Sequence, residues 1–159
     1  MAKHSKTPPS ADRSSRITNR KARFNYHIED KVEAGLALLG TEVKSLRNGK
    51  AHIEEGFARF RGTELWLYGV NISPYEQGNQ MNHEPLRPRK LLLHRHQINK
   101  LIAKLQQKGW TLVPLNIYFN RGFAKVEIAL ARGKTHRDKR EDIKKKDADR
   151  QIQREMSRR

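Results

Sequence analysis

From Phe24 onward the chain alternates apolar and polar positions in short runs. In FNYHIE, Phe24, Tyr26 and Ile28 share one face, which predicts a strand. VEAGLALL, residues 32–39, predicts a second strand, with Gly35 marking a bulge or a close backbone approach. TEVKSLRNG predicts a short helix capped by Thr41 and ended by Asn48–Gly49. Val43 and Leu46 would face inward on it, and Lys44 and Arg47 would share the outer face. Phe57–Arg61 and Glu64–Ile72 predict a hairpin around Gly62–Thr63. Residues 73–90 contain three prolines and read as a long loop. Ile98, Leu101, Ile102 and Leu105 follow helical spacing, with Gly109 past the end. TLVPLNIYF and FAKVEIALA predict a second hairpin around Asn120–Arg121–Gly122, in which Pro114 marks an edge or a bulge.

These elements make a mainly β protein. About six short strands, broken by Gly and Pro and carrying two to three helices, fit a small OB-like antiparallel barrel. Closure removes the edges that a lone sheet would expose. The barrel is expected over residues 19–132, preceded by a flexible basic arm, 1–18, and followed by a basic tail, 133–159. The tail has four apolar side chains, Ile143, Ala148, Ile152 and Met156, against eleven Lys or Arg. Such a segment buries too little to offset its ordering entropy, so it is expected to be disordered when free. As a helix it would align Ala148, Ile152 and Met156 and pair Glu141 with Lys145 and Asp142 with Lys146.

Charge narrows the partner. The net charge of +17 is spread over both arms and the body. A protein so basic is expected to meet a polyanion, and nucleic acid fits better than a membrane. No apolar run reaches the roughly 18 residues of a span, neither arm has an aromatic or Leu-rich amphipathic face, and the start has no apolar signal core. The chain has no cysteine, which excludes disulfides, thiol catalysis and Cys-ligated metals and suits an intracellular, cytoplasmic protein.

Candidate chemistry is sparse. His94 and His96 form H-x-H, but on a helix they would point about 200° apart and could not share an ion; no metal or other cofactor is expected. His94 instead reads as a helix cap. Neither a nucleophile elbow nor a Walker loop is present, so no enzymatic activity is expected. Glu33, an acid on a strand of a basic protein, reads either as an ion-paired carboxylate or as an acceptor for base or sugar donors. RPRKLLLHRHQ, residues 87–97, reads either as the start of the core helix or as a basic loop offering Lys90 and one exposed Leu to RNA.

Taken together, NRKARFNYHIEDKVEAGLALLGTEVKSLRNGKA, HEPLRPRKLLLH, GWTLVPLNIYF and GK-x-x-x-DKRE resemble the SsrA-binding protein (small protein B) family from about Asn19 to Ile143. EAGLALLGTEVKSLR and RKLLL are its most specific parts. The resemblance implies an OB-like ribosome-rescue factor of bacteria. Such a factor binds the tRNA-like domain of transfer-messenger RNA (tmRNA), promotes its alanylation by alanyl-tRNA synthetase, and travels with elongation factor Tu and GTP to stalled ribosomes. It implies RNA contacts at Glu33 and Leu92, with His94 at a position commonly Asn or His, and a basic surface of Asn19, Arg20, Lys21, Arg23, Lys44 and Arg47. In the tail it implies ribosome contacts through Lys134, Asp138, Lys139 and Arg140. Family members often have Tyr or His directly before DKR; here Arg137 holds that position and His136 precedes it, so either could stack on a ribosomal base. The expected assembly is a monomer whose tail, with Ile152 and Met156 on its sparse apolar face, becomes helical in an empty mRNA channel near the small-subunit decoding centre. A structural ribosomal protein with basic arms on rRNA is the competing expectation.

Overall fold

The computed structural model describes residues 16–157. Residues 1–15, most of the expected arm, lie outside the described residues. The arm's last residues, Ile17–Thr18, form a short strand, β1.

FNYHIE and VEAGLALL are not two strands. Phe24 and Asn25 belong to a one-turn helix, α1 (Ala22–Asn25), and one eleven-residue strand, β2 (Tyr26–Leu36), runs through both stretches and stops short of residues 37–39. The register shift that bends it falls between Ile28 and Asp30, not at Gly35. Gly35 serves the close approach: a Cβ there would stand 3.2 Å from Leu92 Cβ.

Helix α2 (Gly40–Arg47) follows, capped at Leu39 rather than Thr41. Glu42 Oε2 accepts the Leu39 N–H at 2.8 Å, while Thr41 Oγ1 lies 2.9 Å from His83 Nδ1. Strands β3 (Ala51–His52), β4 (Phe57–Arg61), β5 (Glu64–Tyr68) and β6 (Asn71–Ile72) come next. The second hairpin arm therefore breaks at Gly69, whose φ of +67° and contact with Glu55 exclude a side chain. The long loop ends at Pro88, before its expected end at residue 90, because Arg89 opens strand β7 (Arg89–Leu92). Helix α3 (Arg95–Leu105) precedes the hairpin of β8 (Trp110–Asn120) and β9 (Phe123–Gly133). Its two-residue turn, Arg121–Gly122, has positive φ at both positions, the conformation that matches strand twist. Pro114 sits at a bulge, as its missing N–H requires.

Strands β4, β5, β7, β2, β9 and β8 pair in that order, and β8 returns to β4, closing a six-stranded antiparallel barrel. The OB-like architecture expected from the alternation is present. Leu36, Leu65, Leu67, Leu91, Leu112, Ile117, Val126, Ile128 and Leu130 fill its interior. A second, smaller cluster explains why β8 reads as continuously apolar: α1 packs Ala22 over Val113, Leu115, Ala129 and Ala131 on the barrel's outside. The polar segment after the barrel is helical here, as α4 (His136–Met156), and none of its residues is buried.

Candidate nucleic-acid interface

The register assigns every residue to one of two barrel ends. Gly35 pairs with both Leu92 and Lys125, and Lys125 pairs with Tyr118. Leu92, Gly35, Lys125 and Tyr118 therefore form a row across β7, β2, β9 and β8. Gly35 contributes no side chain, which leaves a notch in the outer face. That notch is part of a cleft lined by Glu33, Leu92, Leu93, His94, Gln97 and Lys125. Three of the residues singled out in the sequence, Glu33, Leu92 and His94, thus meet in one place.

The cleft mixes functions. Leu92 is 54% exposed, an aliphatic surface left in solvent. Glu33 is an acceptor held on two sides: the Tyr118 hydroxyl donates to Oε2, and Lys125 Nζ lies 3.7 Å from Oε1. Burial pushes the Tyr118 hydroxyl up to about 12, and the neighbouring Glu33 carboxylate adds to the shift, so Tyr118 stays a donor. Arg16 lies over the Tyr118 ring at 5.3 Å. His94 is the N-cap of α3, with its N–H donating to Gln97 Oε1 at 3.1 Å. Because a cap is not yet helical, the His94 and His96 rings do not diverge as expected; they stack with centroids 5.7 Å apart. Among the described residues no three His, Asp or Glu gather as a metal site.

The neighbouring helix α2 is fixed from below. Glu42 is fully buried and takes Arg87 at 2.6 Å and 2.8 Å and Arg89 at 2.8 Å. Burial alone would push its carboxyl up; Arg87, the Leu39 N–H and Arg89 together hold it below the usual value. Arg89 also donates to the carbonyls of Val70 and Pro85. This network presents Lys44 over Tyr75 and Arg47 over Phe119, each near 5.2 Å. Lys90 is paired with Glu64.

The remaining expected residues lie elsewhere. Asn19 is buried, and its amide donates to the Pro114 and Ile53 carbonyls while its oxygen accepts from Ala22 N–H. It pins the N-terminal segment to the barrel and offers nothing to a partner. Lys21 is held by Glu54 at 2.6 Å. Arg20 and Arg23 line a cleft with Lys134, Lys145 and Lys146, between α1 and α4.

Helix α4 leaves from that second end. Thr135 and Asp138 form a reciprocal capping box. The Thr135 hydroxyl and N–H hold the Asp138 carboxyl below the usual range, with His27 Nε2 at 3.5 Å. Lys134 donates to the Arg23 carbonyl at 2.8 Å and to Asp142 at 2.6 Å. Asp142 thus turns back to Lys134 instead of forward to Lys146, and Glu141 takes Arg137 at 3.4 Å instead of Lys145. Lys139 lies over Phe24. His136, Arg140, Ile152 and Met156 are exposed.

A small closed barrel with a mixed cleft on its outer face and a cationic helix at its far end defines a basic, OB-like nucleic-acid-binding protein. The family model for the SmpB protein matches residues 16–158, and the chain belongs to that family. The SsrA-binding protein of Enterococcus faecalis is 61% identical over 87% of this chain and 90% of its own length. That of Rhodopseudomonas palustris is 62% identical over 81% and 83%. A solved chain from the work described as "tmRNA-SmpB: a journey to the center of the bacterial ribosome" superposes with a TM-score of 0.65 at 55% identity, over 76% of this chain and 85% of that one.

Proposed function

We propose that this chain is a non-enzymatic adaptor that binds the tRNA-like domain of tmRNA and works in trans-translation at stalled ribosomes. The observation that carries the proposal is the convergence of Glu33, Leu92 and His94 on one cleft beside Lys125. A carboxylate there can accept from base or 2′-hydroxyl donors, Leu92 can pack on a base face, and Lys44, Arg47 and Lys125 supply phosphate contacts. The names of the relatives and the tmRNA–SmpB chain support the same partner.

The far end supplies the second half. Among the described residues, the pairs that tie helix α4 to the barrel lie in its first two turns, through Lys134, Asp138 and Lys139. Beyond them its apolar side chains are few and uncovered, too thin a stripe to hold a free helix. This part orders in the empty mRNA channel near the decoding centre, with Ile152 and Met156 toward ribosomal RNA, while the first turns release their barrel contacts so that Lys134 and Arg140 reach RNA and His136 or Arg137 stacks on a base. In the full cycle the monomeric protein promotes alanylation by alanyl-tRNA synthetase and is delivered with elongation factor Tu and GTP.

Filter binding at physiological salt, comparing tmRNA with an ordinary tRNA, tests the reading. Preferential binding of tmRNA, weakening linearly in log–log salt, is expected. Equal affinity for the two RNAs would refute it.

A further inference from the structure

The outer face of the β4–β5 hairpin is unused by the account above. Alternation sends Ala58, Leu65 and Leu67 into the core and leaves Phe57, Arg59 and Arg61 exposed on β4. The register sets Phe57 against Tyr68, Arg59 against Trp66 and Arg61 against Glu64. Phe57 and Tyr68 stack with centroids 5.5 Å apart and planes 17° apart, and Phe57 is 43% exposed. Trp66 lies between Arg59 and, on β7, Lys90.

Neither guanidinium group is tied up by a bond inside the protein, although the charge of Arg61 acts on Glu64. Among the described residues Arg59 and Arg61 have no hydrogen-bonded or ion-paired side-chain partner, and the Glu64 carboxylate opposite Arg61 is taken by Lys90. The face is therefore net positive and carries aromatic rings between its cations. It also runs on, along β7 from Lys90 to Leu92, into the cleft of Glu33 and His94.

We infer that this hairpin face is a second RNA contact surface, which takes unpaired nucleotides by stacking bases on Phe57 and Tyr68 and holding phosphates with Arg59 and Arg61. The combination is what single-stranded RNA requires: a π face for any base and fixed cations along the backbone. An acidic protein would satisfy the guanidinium groups but would leave the stacked rings without a planar partner. The inference rests on the RNA-binding reading of the chain and extends it to a different set of residues.

The test uses the full chain and tmRNA, with affinity, salt dependence and a chemical footprint measured for three variants. Phe57→Leu with Tyr68→Leu removes the rings and keeps apolar side chains. It is expected to weaken binding about tenfold and to lose protection at unpaired nucleotides that Glu33→Gln still protects. Arg59→Gln, at an exposed position where folding is not at stake, is expected to reduce the slope of log affinity against log salt by about one. Wild-type affinity, slope and footprint in the hairpin variants would overturn the inference, including the case in which the face instead binds an acidic protein. If Glu33→Gln weakens binding while the hairpin variants do not, this inference fails and the cleft reading stands. If Glu33→Gln has no effect but the hairpin variants do, the hairpin surface stands and the cleft reading fails.

Discussion

The two ends of the barrel are made from the same long strands and are held in opposite ways. At the Leu92 end, α2 is locked by a fully buried carboxylate between two arginines, and the cleft residues sit on paired strands. At the Tyr26 end, α4 is held by weaker pairs: His27 with Asp138 and Lys139 over Phe24, both open to solvent, and the part-buried Lys134 with Asp142. Breaking a buried pair strands a charge in a dry interior, whereas surface pairs contribute about 0–1 kcal/mol and are screened by salt. One end is thus rigidly held, which suits the proposed RNA cleft, and the other is weakly held, which suits the proposed rearrangement of the tail. From Tyr26 to Gly35, β2 spans at most about 31 Å at roughly 3.4 Å per antiparallel residue.

The largest effect tests the rigid end. Glu42→Ala leaves Arg87 and Arg89 uncompensated and should lower unfolding free energy by about 3–5 kcal/mol in urea titration. A loss below about 1 kcal/mol would mean that the network does not lock α2. Next, Glu33→Gln should weaken tmRNA binding by about tenfold, the scale of one charged hydrogen bond, with an unchanged melting temperature. Tyr118→Phe should weaken it less, about threefold, because Tyr118 orients Glu33 without replacing it. The two changes should be non-additive in a double-mutant cycle, and simple additivity would remove Tyr118 from the site.

The smallest effect concerns the flexible end. The Asp138 carboxyl is held below its ordinary value of 3.8, so its capping is complete above that value and is lost as pH falls below it. Helical circular dichroism at 222 nm should therefore dip in acid before the barrel unfolds, and Asp138→Asn should shrink that dip, leaving the part due to Asp142, which Lys134 likewise holds below its usual value. A barrel melting temperature that fell in step would contradict the independence of the two ends.

The barrel was legible because its signals are local: alternation in β4, β5 and β9, the Arg121–Gly122 turn, the bulge at Pro114. Glu33, His94 and an exposed Leu near it drew attention by residue type, but that Glu33, Leu92 and His94 meet was not legible locally, since nothing local joins positions 33 and 92; the Gly35–Leu92 pairing does that. The internal role of Arg87 and Arg89 was not legible, because their partner, Glu42, lies more than forty residues away. Tyr118 was hidden for the same reason, 85 positions from Glu33. Asn19 looked like part of a basic surface element, but it satisfies backbone carbonyls that only the folded barrel brings together. The Thr135-x-x-Asp138 cap was visible as a capping pattern and escaped notice inside a charge run.

Truncation after Arg132 tests the separation of the two ends most directly. The shortened chain keeps every cleft residue and loses Lys134 and all of α4. It should bind tmRNA within about twofold of the full chain, less than the effect of one charged hydrogen bond, and should fail to support tagging of nascent peptides on stalled ribosomes. Tagging at the full-chain level, or loss of tmRNA binding by a truncated protein that remains folded, would contradict the account.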